Sequence, residues 1–381
     1  MEGEMEVAEL PADFRCPISL EVMTDPVILS SGHTFDRSSI QRWLDSGNLT
    51  CPVTNLPLPP SPSLIPNHAL RRLISSFLAR RPPPSADADA DDAFDDYQHN
   101  ESRRLFTRLS FPSDAASLSG VLRLAQRGGS AARSLILDSG VVACVLLPHV
   151  AASDRPDLQD LALRVLLHLS LEGDDARLGL VAEGAIDPVV AALVSSSSAS
   201  LAATLLTSLA VVEVNKATIG AHPLAIPRLA ALLRDGGARE RRESATALYE
   251  LCKFADNRRR TSIAGTVPPL LLLAREGSER AVRLLSLLSR CREGKDEMIN
   301  TAGFAAAMTE AIRTGTVFTI EHALSVLNLV SSESKAVALE AIKEGILDLC
   351  SAFSCDLNQK TRKNAKQLIF TLQNARFQGF P

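Results

Sequence analysis

A short phrase of apolar residues around a glycine recurs through most of the chain, and this repetition limits what the chain can fold into. The phrase is centred on Gly140, Gly184, Gly265, Gly303 and Gly345. The last two intervals are 38 and 42 residues, and the 81 residues from Gly184 to Gly265 equal two such steps. A unit of about 40 residues cannot bury its own apolar face, so neighbouring units must stack. The sequence therefore predicts a helical solenoid.

Amphipathic helices are predicted between the glycines, because apolar residues recur at i, i+3, i+4 and i+7. Three such sets are Leu158–Leu169, Ala281–Leu288 and Ile320–Leu327. Each glycine is expected to let the chain turn sharply between helices. Residues 101–381 resemble about six armadillo repeats. HEAT repeats are the alternative, and the glycine-centred phrase favours armadillo.

Composition supports helix packed on helix. Apolar residues make up 46% of the chain but aromatic residues only 4%, so Leu, Ala and Val must supply the core. The net charge of -4 and the pI near 6.0 argue against a nucleic-acid-binding protein. The triplet Arg258–Arg260 is interpreted as solvated charge after a helix.

Seven cysteines lie scattered without a Cys-x-x-Cys pair, which fits a reducing compartment better than a disulfide framework. The N-terminus is acidic and lacks the features of a signal peptide. No apolar stretch approaches the roughly 20 residues of a membrane span. We expect a cytoplasmic protein, with the nucleus as a further compartment.

Residues 81–100 are predicted to be a linker. Three prolines and an acidic, low-complexity run follow Arg81. Such a segment buries too little apolar surface to order itself. The linker separates the repeats from an N-terminal module at residues 9–80.

The N-terminal module is dense in turn signals. Pro17 constrains the first loop, and Pro26–Phe35 predicts a short hairpin with a Gly-containing turn. Asp36 is expected to cap the helix Arg37–Leu44, and Asn67 a closing helix through Ile74.

This module resembles a U-box, a RING-like α+β fold without zinc. The matching motifs are D-F-R-C-P-I-S, D-P-V, G-H-T-F-D-R, I-Q-R-W-L, C-P-V and I-P-N-H-A-L-R. With the repeats, the whole chain resembles the plant U-box/armadillo ubiquitin ligases. The fold expected is thus mostly α, with a small α+β U-box followed by an all-α solenoid. The resemblance gives structural roles to Cys16, Pro17, Asp25, Pro26, His33, Phe35 and Cys51.

No metal or other cofactor is expected. Cys16, His33 and Cys51 are the only Cys or His residues in positions 1–67, whereas two tetrahedral zinc sites need eight ligands. We interpret both thiols as core residues and His33 as a turn residue with satisfied hydrogen bonds.

The resemblance implies that the module binds a ubiquitin-conjugating enzyme carrying ubiquitin, in an apolar groove of Ile18, Trp43 and Pro52. The ligase would supply proximity without a covalent nucleophile of its own. The alternative is that Ile18 and Trp43 are core residues. We favour a partner surface, because other apolar residues already offer a core.

Asn55 departs from the family. Related domains often carry Arg or Lys here, which orients ubiquitin, whereas Asn is shorter and uncharged. We expect an active ubiquitin ligase, and the departure keeps a non-catalytic armadillo scaffold with a weak U-box as the alternative. A homodimer is also open, since some U-boxes pair.

The repeats are expected to hold a protein substrate in their groove. Armadillo proteins that bind extended peptides often carry a repeated Asn on the third helix of each repeat. Only Asn328 resembles that position. The sequence therefore does not predict a peptide ladder of the nuclear-import kind.

Overall fold

The computed structural model describes residues 11–59, 62, 64–67, 70, 71, 73, 74 and 115–377, except 153 and 196. The predicted linker at 81–100 lies outside these residues, so its limits and those of the two flanking domains stay predictions. The described chain divides into two compact units, with the boundary between Pro188 and Val189.

The N-terminal module contains a small antiparallel sheet and one helix. Strand β1 (Pro26–Ile28) lies between β2 (Thr34–Asp36) and β3 (Ile65–Pro66), with Val27 opposite both Phe35 and Pro66. The predicted hairpin is thereby confirmed. Helix α1 (Arg37–Asp45) follows β2 directly and is one residue longer than predicted.

Asp36 joins the start of α1 to the preceding loop. Its Oδ1 accepts a hydrogen bond from the Ser38 amide at 3.2 Å, and its Oδ2 accepts from the Thr24 and Asp25 amides at 2.8 and 3.0 Å. Burial opposes ionisation of this carboxyl, but the hydrogen bonds outweigh it and lower the pKa. The predicted cap is confirmed, and the same side chain also fixes a turn.

Asn67 caps the closing segment as predicted. Its Oδ1 accepts a hydrogen bond from the Leu70 amide at 3.1 Å, and its Nδ2 donates to Thr34 Oγ1 at 3.2 Å. The second bond fixes the start of this segment to β2.

The core of the module is a single cluster of aliphatic, aromatic and sulfur-containing side chains. Its buried members are Phe14, Cys16, Met23, Val27, Leu29, Phe35, Ile40, Cys51 and Ile74. Ile18 and Trp43 pack against this cluster while remaining partly exposed.

Within the first unit, ion pairs join the module to the repeats. Arg71 donates hydrogen bonds to Asp25 of the module and to Asp138. Arg37 lies 3.5 Å from Asp175. The contact between the module and the first repeats thus has arginines on the module side and aspartates on the repeat side.

Helices make up the described part of the repeats. A leading helix α2 (Ala115–Arg127) precedes six triplets. The helices of the triplets are α3 (Gly129–Asp138), α4 (Leu147–Ala151, after the π-helical turn Val142–Leu146), α5 (Pro156–Ser170), α6 (Asp174–Ala182), α7 (Ile186–Ala192), α8 (Ala199–Leu209), α9 (Glu213–Ala221), α10 (Ala225–Asp235), α11 (Ala238–Cys252), α12 (Ala255–Ile263), α13 (Val267–Arg275), α14 (Glu279–Leu288), α15 (Arg292–Asn300), α16 (Phe304–Thr314), α17 (Val317–Glu333), α18 (Lys335–Lys343), α19 (Ile346–Phe353) and α20 (Gln359–Phe377).

The glycines act as predicted. All five have a positive φ between 72° and 90°, which other residues adopt at a cost. Midway between Gly184 and Gly265, α9 ends at Ala221, and His222 rather than a left-handed glycine turns the chain, with a φ of -63°.

In the second unit, the third helices of successive repeats pack on one another: α8 on α11, α11 on α14, α14 on α17 and α17 on α20. Asn257, at the start of α12, adds hydrogen bonds between neighbouring repeats. Its Nδ2 donates to the carbonyls of Leu251 and Lys216 at 3.0 and 2.8 Å. A Cβ on Gly220 would lie 1.9 Å from Asn257 Oδ1, so only glycine permits this approach.

The arginine triplet follows α11, but its interpretation as solvated charge is wrong for Arg258. The triplet lies inside α12, and Arg258 Nε donates to the Cys252 carbonyl at 2.8 Å. Arg258 thereby supplies a hydrogen-bond donor to a carbonyl that has no partner within α11 at its C-terminal end.

No single helix among the described residues is long and apolar enough to cross a membrane. The bent pair Gly129–Asp138 and Val142–Ala151 meets that length and composition only when the two helices are taken together.

Candidate partner-binding site

Two loops of the N-terminal module, residues 16–20 (the first loop) and 51–55 (the second loop), share a backbone hydrogen bond and a left-handed residue at the same place. In the first, the Leu20 amide donates to the Cys16 carbonyl at 2.8 Å; in the second, the Asn55 amide donates to the Cys51 carbonyl at 2.8 Å. Leu20 and Asn55 both have left-handed backbones, with φ of 61° and 57°. Asn tolerates this conformation better than most residues, so the local backbone explains why an asparagine suits position 55.

The thiols of the two loops accept hydrogen bonds. Cys16 Sγ accepts from the Asp36 amide at 3.3 Å, and Cys51 Sγ accepts from Ser31 Oγ at 3.2 Å. Burial raises the pKa of both thiols, but the hydrogen bonds outweigh it and lower that of Cys51 to about 7. Each cysteine therefore joins its loop to another part of the module.

Trp43 connects α1 to the second loop. Its Nε1 donates to the Thr50 carbonyl at 2.9 Å, and Asn48 Nδ2 donates to the Trp43 carbonyl at 3.0 Å. The ring is therefore fixed in orientation although it is only partly buried.

Ile18 and Trp43 meet in one open cleft of about 430 Å³. Its remaining lining residues are Ser19, Ser39, Arg42, Ser46 and Asn48. Pro52 lies on the second loop and is partly exposed, but it does not line this cleft. The structure thus brings two of the three predicted partner-binding residues together.

Sequence reasoning missed the polar lining of the cleft. Ser39, Arg42 and Trp43 on α1 and Ser46, which caps its C-terminal end, are spaced i, i+3, i+4 and i+7. This spacing puts them on one helix face, and the periodicity around Trp43 was the signal that could have found them.

The remaining predicted residues support this site from within the module. Pro26 and Phe35 are buried in the sheet, and Pro17 is exposed at the first loop. Asp25 accepts a hydrogen bond from Arg37 Nε at 2.8 Å. His33 Nδ1 lies 3.1 Å from the Ser31 carbonyl, at hydrogen-bond distance as expected for a turn residue.

Apolar side chains are exposed along the same two loops. Leu20 is 68% exposed and Leu56 62%. Val53, at the centre of the second loop, is 45% exposed. These side chains add apolar surface to both loops.

The side-chain oxygen of Asn328 is bonded within the repeats. Asn328 is 9% exposed on α17, and its Oδ1 accepts a hydrogen bond from Thr371 Oγ1 on α20 at 2.7 Å. Within the part of the chain that the structure describes, no three His, Cys, Asp or Glu side chains are grouped so that they could hold a metal ion.

Comparison with known proteins gives two family matches. The U-box domain matches residues 10–82, and the plant U-box protein ARM repeat region matches residues 99–376. U-box domain-containing protein 8 of Arabidopsis thaliana is 47% identical over 96% of this chain and 97% of that protein. E3 ubiquitin-protein ligase PUB23 of the same plant is 28% identical over 96% and 93%.

Solved structures show the same repeat fold. A designed armadillo repeat protein covers 60% of this chain and 98% of its own, with a TM-score of 0.51 and 18% identity. An engineered protein solved by crystallography covers 71% and 68%, with a TM-score of 0.61 and 18% identity. At this identity the likeness concerns the fold alone.

Proposed function

The chain belongs to the plant U-box proteins with an armadillo-repeat region, and we propose on that basis that it is a ubiquitin ligase. The N-terminal module recruits a ubiquitin-conjugating enzyme charged with ubiquitin. The repeats hold a protein substrate. Transfer takes place between the conjugating enzyme and a substrate lysine, so the ligase contributes proximity and orientation and forms no covalent intermediate.

The observation that carries this proposal is the cleft in which Ile18 meets Trp43. An aromatic and an aliphatic side chain on rigid supports are typical anchors of a protein interface. Rigidity is supplied here by the Trp43–Thr50 hydrogen bond and by the thiol contacts that fix both loops. Pro52 and Val53 extend the apolar surface on the second loop.

The experiment is to measure ubiquitin discharge from a conjugating enzyme in the presence of the full chain and its Ile18→Ala variant. Loss of a central anchor commonly costs at least about 2 kcal/mol, or about thirtyfold in affinity. We expect discharge at subsaturating concentration to fall by about that factor.

Val22→Ala is the matched control. Val22 packs partly buried on the same core as Ile18, but it does not line the cleft. It should retain discharge close to the wild-type rate. Equal activity of Ile18→Ala and wild type, with unchanged melting, would contradict the assignment of the cleft.

A non-catalytic scaffold is the second candidate, and Asn55 is the observation that favours it. The side chain is exposed and uncharged at the position where related domains carry a cation. Autoubiquitination of the purified chain with a panel of conjugating enzymes separates the two. Activity with any of them supports the ligase, and inactivity with all of them supports the scaffold.

A further inference from the structure

The exposed face of α14 carries a row of arginines. Arg280 and Arg283 lie on this helix, and Arg290 follows its last residue by two positions. At about 100° per residue, Arg280 and Arg283 lie about 60° apart around α14. Arg290 stands in the turn after the helix, and both Arg283 and Arg290 lie close enough to His322 to act on its charge. Arg280 and Arg283 are partly exposed, and Arg290 is exposed. We call Arg280, Arg283 and Arg290 the arginine row.

Tyr249 of the neighbouring helix α11 orients two members of the row. The guanidinium carbons of Arg280 and Arg283 lie 4.8 and 4.9 Å from the centre of its ring. Arg283 Nη2 also donates to Tyr249 Oη at 2.7 Å. These cation–π contacts hold the guanidinium groups in place. Less side-chain conformational entropy is therefore lost when a ligand binds to them.

Few carboxylates lie close to the charged groups of the arginine row. Arg283 lies 3.8 Å from Glu279. No carboxylate among the described residues lies within 4.0 Å of Arg280 or Arg290. Lys253 also lies near the Tyr249 ring, but Glu250 neutralises it at 2.5 Å. Two guanidinium groups thus remain available to an anion, with a third only loosely paired.

His322 of α17 borders the row on its other side. Burial lowers the pKa of this imidazole, and Arg283 and Arg290 lower it further against the opposing effects of Glu321 and Glu279. The ring is neutral at pH 7 and offers hydrogen-bonding atoms rather than charge. The surface between α11 and α17 thus holds three guanidinium groups beside two carboxylates, of which Glu279 lies 3.8 Å from Arg283 and Glu321 pairs with Lys360 at 3.3 Å.

We propose that the arginine row binds an extended acidic segment of a substrate protein. Arg280 lies about 12 Å along the axis of α14 from Leu288, its last residue, and Arg290 follows two residues later. An extended chain advances about 3.3 Å per residue, so carboxylates four to five residues apart would reach both ends. Guanidinium groups recognise carboxylates in a planar, bidentate manner. This inference names a substrate class for the proposed ligase and rests on that function.

The test is binding of the full chain to a short fluorescein-labelled peptide of alternating Glu and Ser, followed by fluorescence anisotropy. The same peptide with Gln in place of Glu shows whether charge is required. We expect the acidic peptide to bind at least about tenfold more tightly than its Gln counterpart, and raised salt to weaken it.

The double variant Arg280→Gln, Arg290→Gln should lose at least about tenfold in affinity. The matched control is Arg234→Gln with Arg292→Gln, which removes the same charge from α10 and α15, where both side chains are more than half exposed. It should bind as the wild type does. Should Arg280→Gln lower the melting temperature, Arg290→Gln alone, at an exposed position, carries the test.

Equal binding of the Glu and Gln peptides, or equal loss in the row variant and the control, would overturn the inference. Autoubiquitination of the same preparations keeps the two proposals separate. Variants that lose peptide binding but keep autoubiquitination support the row as a substrate site. A chain that binds no acidic peptide but retains autoubiquitination refutes the row alone.

Discussion

Trp43 Nε1 donates a hydrogen bond to the carbonyl oxygen of Thr50 at 2.9 Å, which ties the helix of the module to the segment that leads into its second loop. Trp43→Phe keeps an aromatic ring at this place but removes the donor. We expect the second loop to lose about 1 kcal/mol of local stability. Hydrogen exchange at the Asn55 amide, which bonds to Cys51, should accelerate about fivefold. Unchanged exchange there, with Phe318→Leu as an aromatic control outside the module, would show that the bond does not support the loop.

Asn55→Arg should raise ubiquitin discharge without much tighter binding of the conjugating enzyme, because it restores a cationic donor. The left-handed backbone at this position imposes a cost of roughly 1 kcal/mol on either Arg or Gln. Asn55→Gln is therefore the control for strain and length. Both variants should melt slightly below the wild type, and only Arg should accelerate discharge. Equal rates for both would remove Asn55 from the ubiquitin-orienting role.

Chelators should leave the melting temperature and the activity unchanged. The buried thiols Cys16 and Cys51 are held by hydrogen bonds from Asp36 and Ser31, which need no metal. The measurement is a thermal melt with and without EDTA, together with elemental analysis for zinc. Stoichiometric zinc, or unfolding in EDTA, would contradict the U-box architecture.

Glu297→Gln should stabilise the repeats at alkaline pH. Glu297 Oε1 accepts a hydrogen bond from the Val267 amide at 3.1 Å, and burial raises the pKa of this carboxyl to about 7. The folded chain then keeps the proton up to about pH 7, whereas an unfolded one loses it near its ordinary value of 4.5. The wild type therefore loses stability between those values and levels off above them.

Gln cannot ionise, so the advantage of Glu297→Gln should grow from pH 5 to about pH 8 and reach on the order of 1–3 kcal/mol. Denaturant unfolding at several pH values measures it. Glu293→Gln on the same helix is the control, because its carboxylate pairs with Arg259 at 3.0 Å and its loss should bring no such gain. A constant difference across this pH range would refute the buried-carboxyl interpretation.

The fold was accessible from the sequence because its signals are local. Helix periodicity and the capping residues Asp36 and Asn67 depend on a few neighbouring positions, and the local glycine phrase recurs at a nearly constant spacing along the chain. The cleft was only half accessible: motif matching gave Ile18 and Trp43, but the polar lining depends on which face of α1 the loops leave open.

Contacts between distant residues could not be predicted. The pairing of Tyr249 with Arg280 and Arg283 joins side chains more than thirty positions apart, on helices that meet only in the stacked repeats. The triplet Arg258–Arg260 shows the converse. Its charge suggested solvent, whereas Arg258 satisfies a carbonyl at the end of a preceding helix.

The glycine turns bear on how the length of such a chain can change. Gly265 and Gly345 adopt their left-handed backbone in open space, with no atom within 4 Å of where a Cβ would stand. Each of these turns is thus set by its own residue rather than by a neighbour's shape. An in-frame duplication of the stretch from one glycine to the next would carry its own turn and its own third helix. The stack of repeats would then lengthen by a whole step without any existing turn being altered.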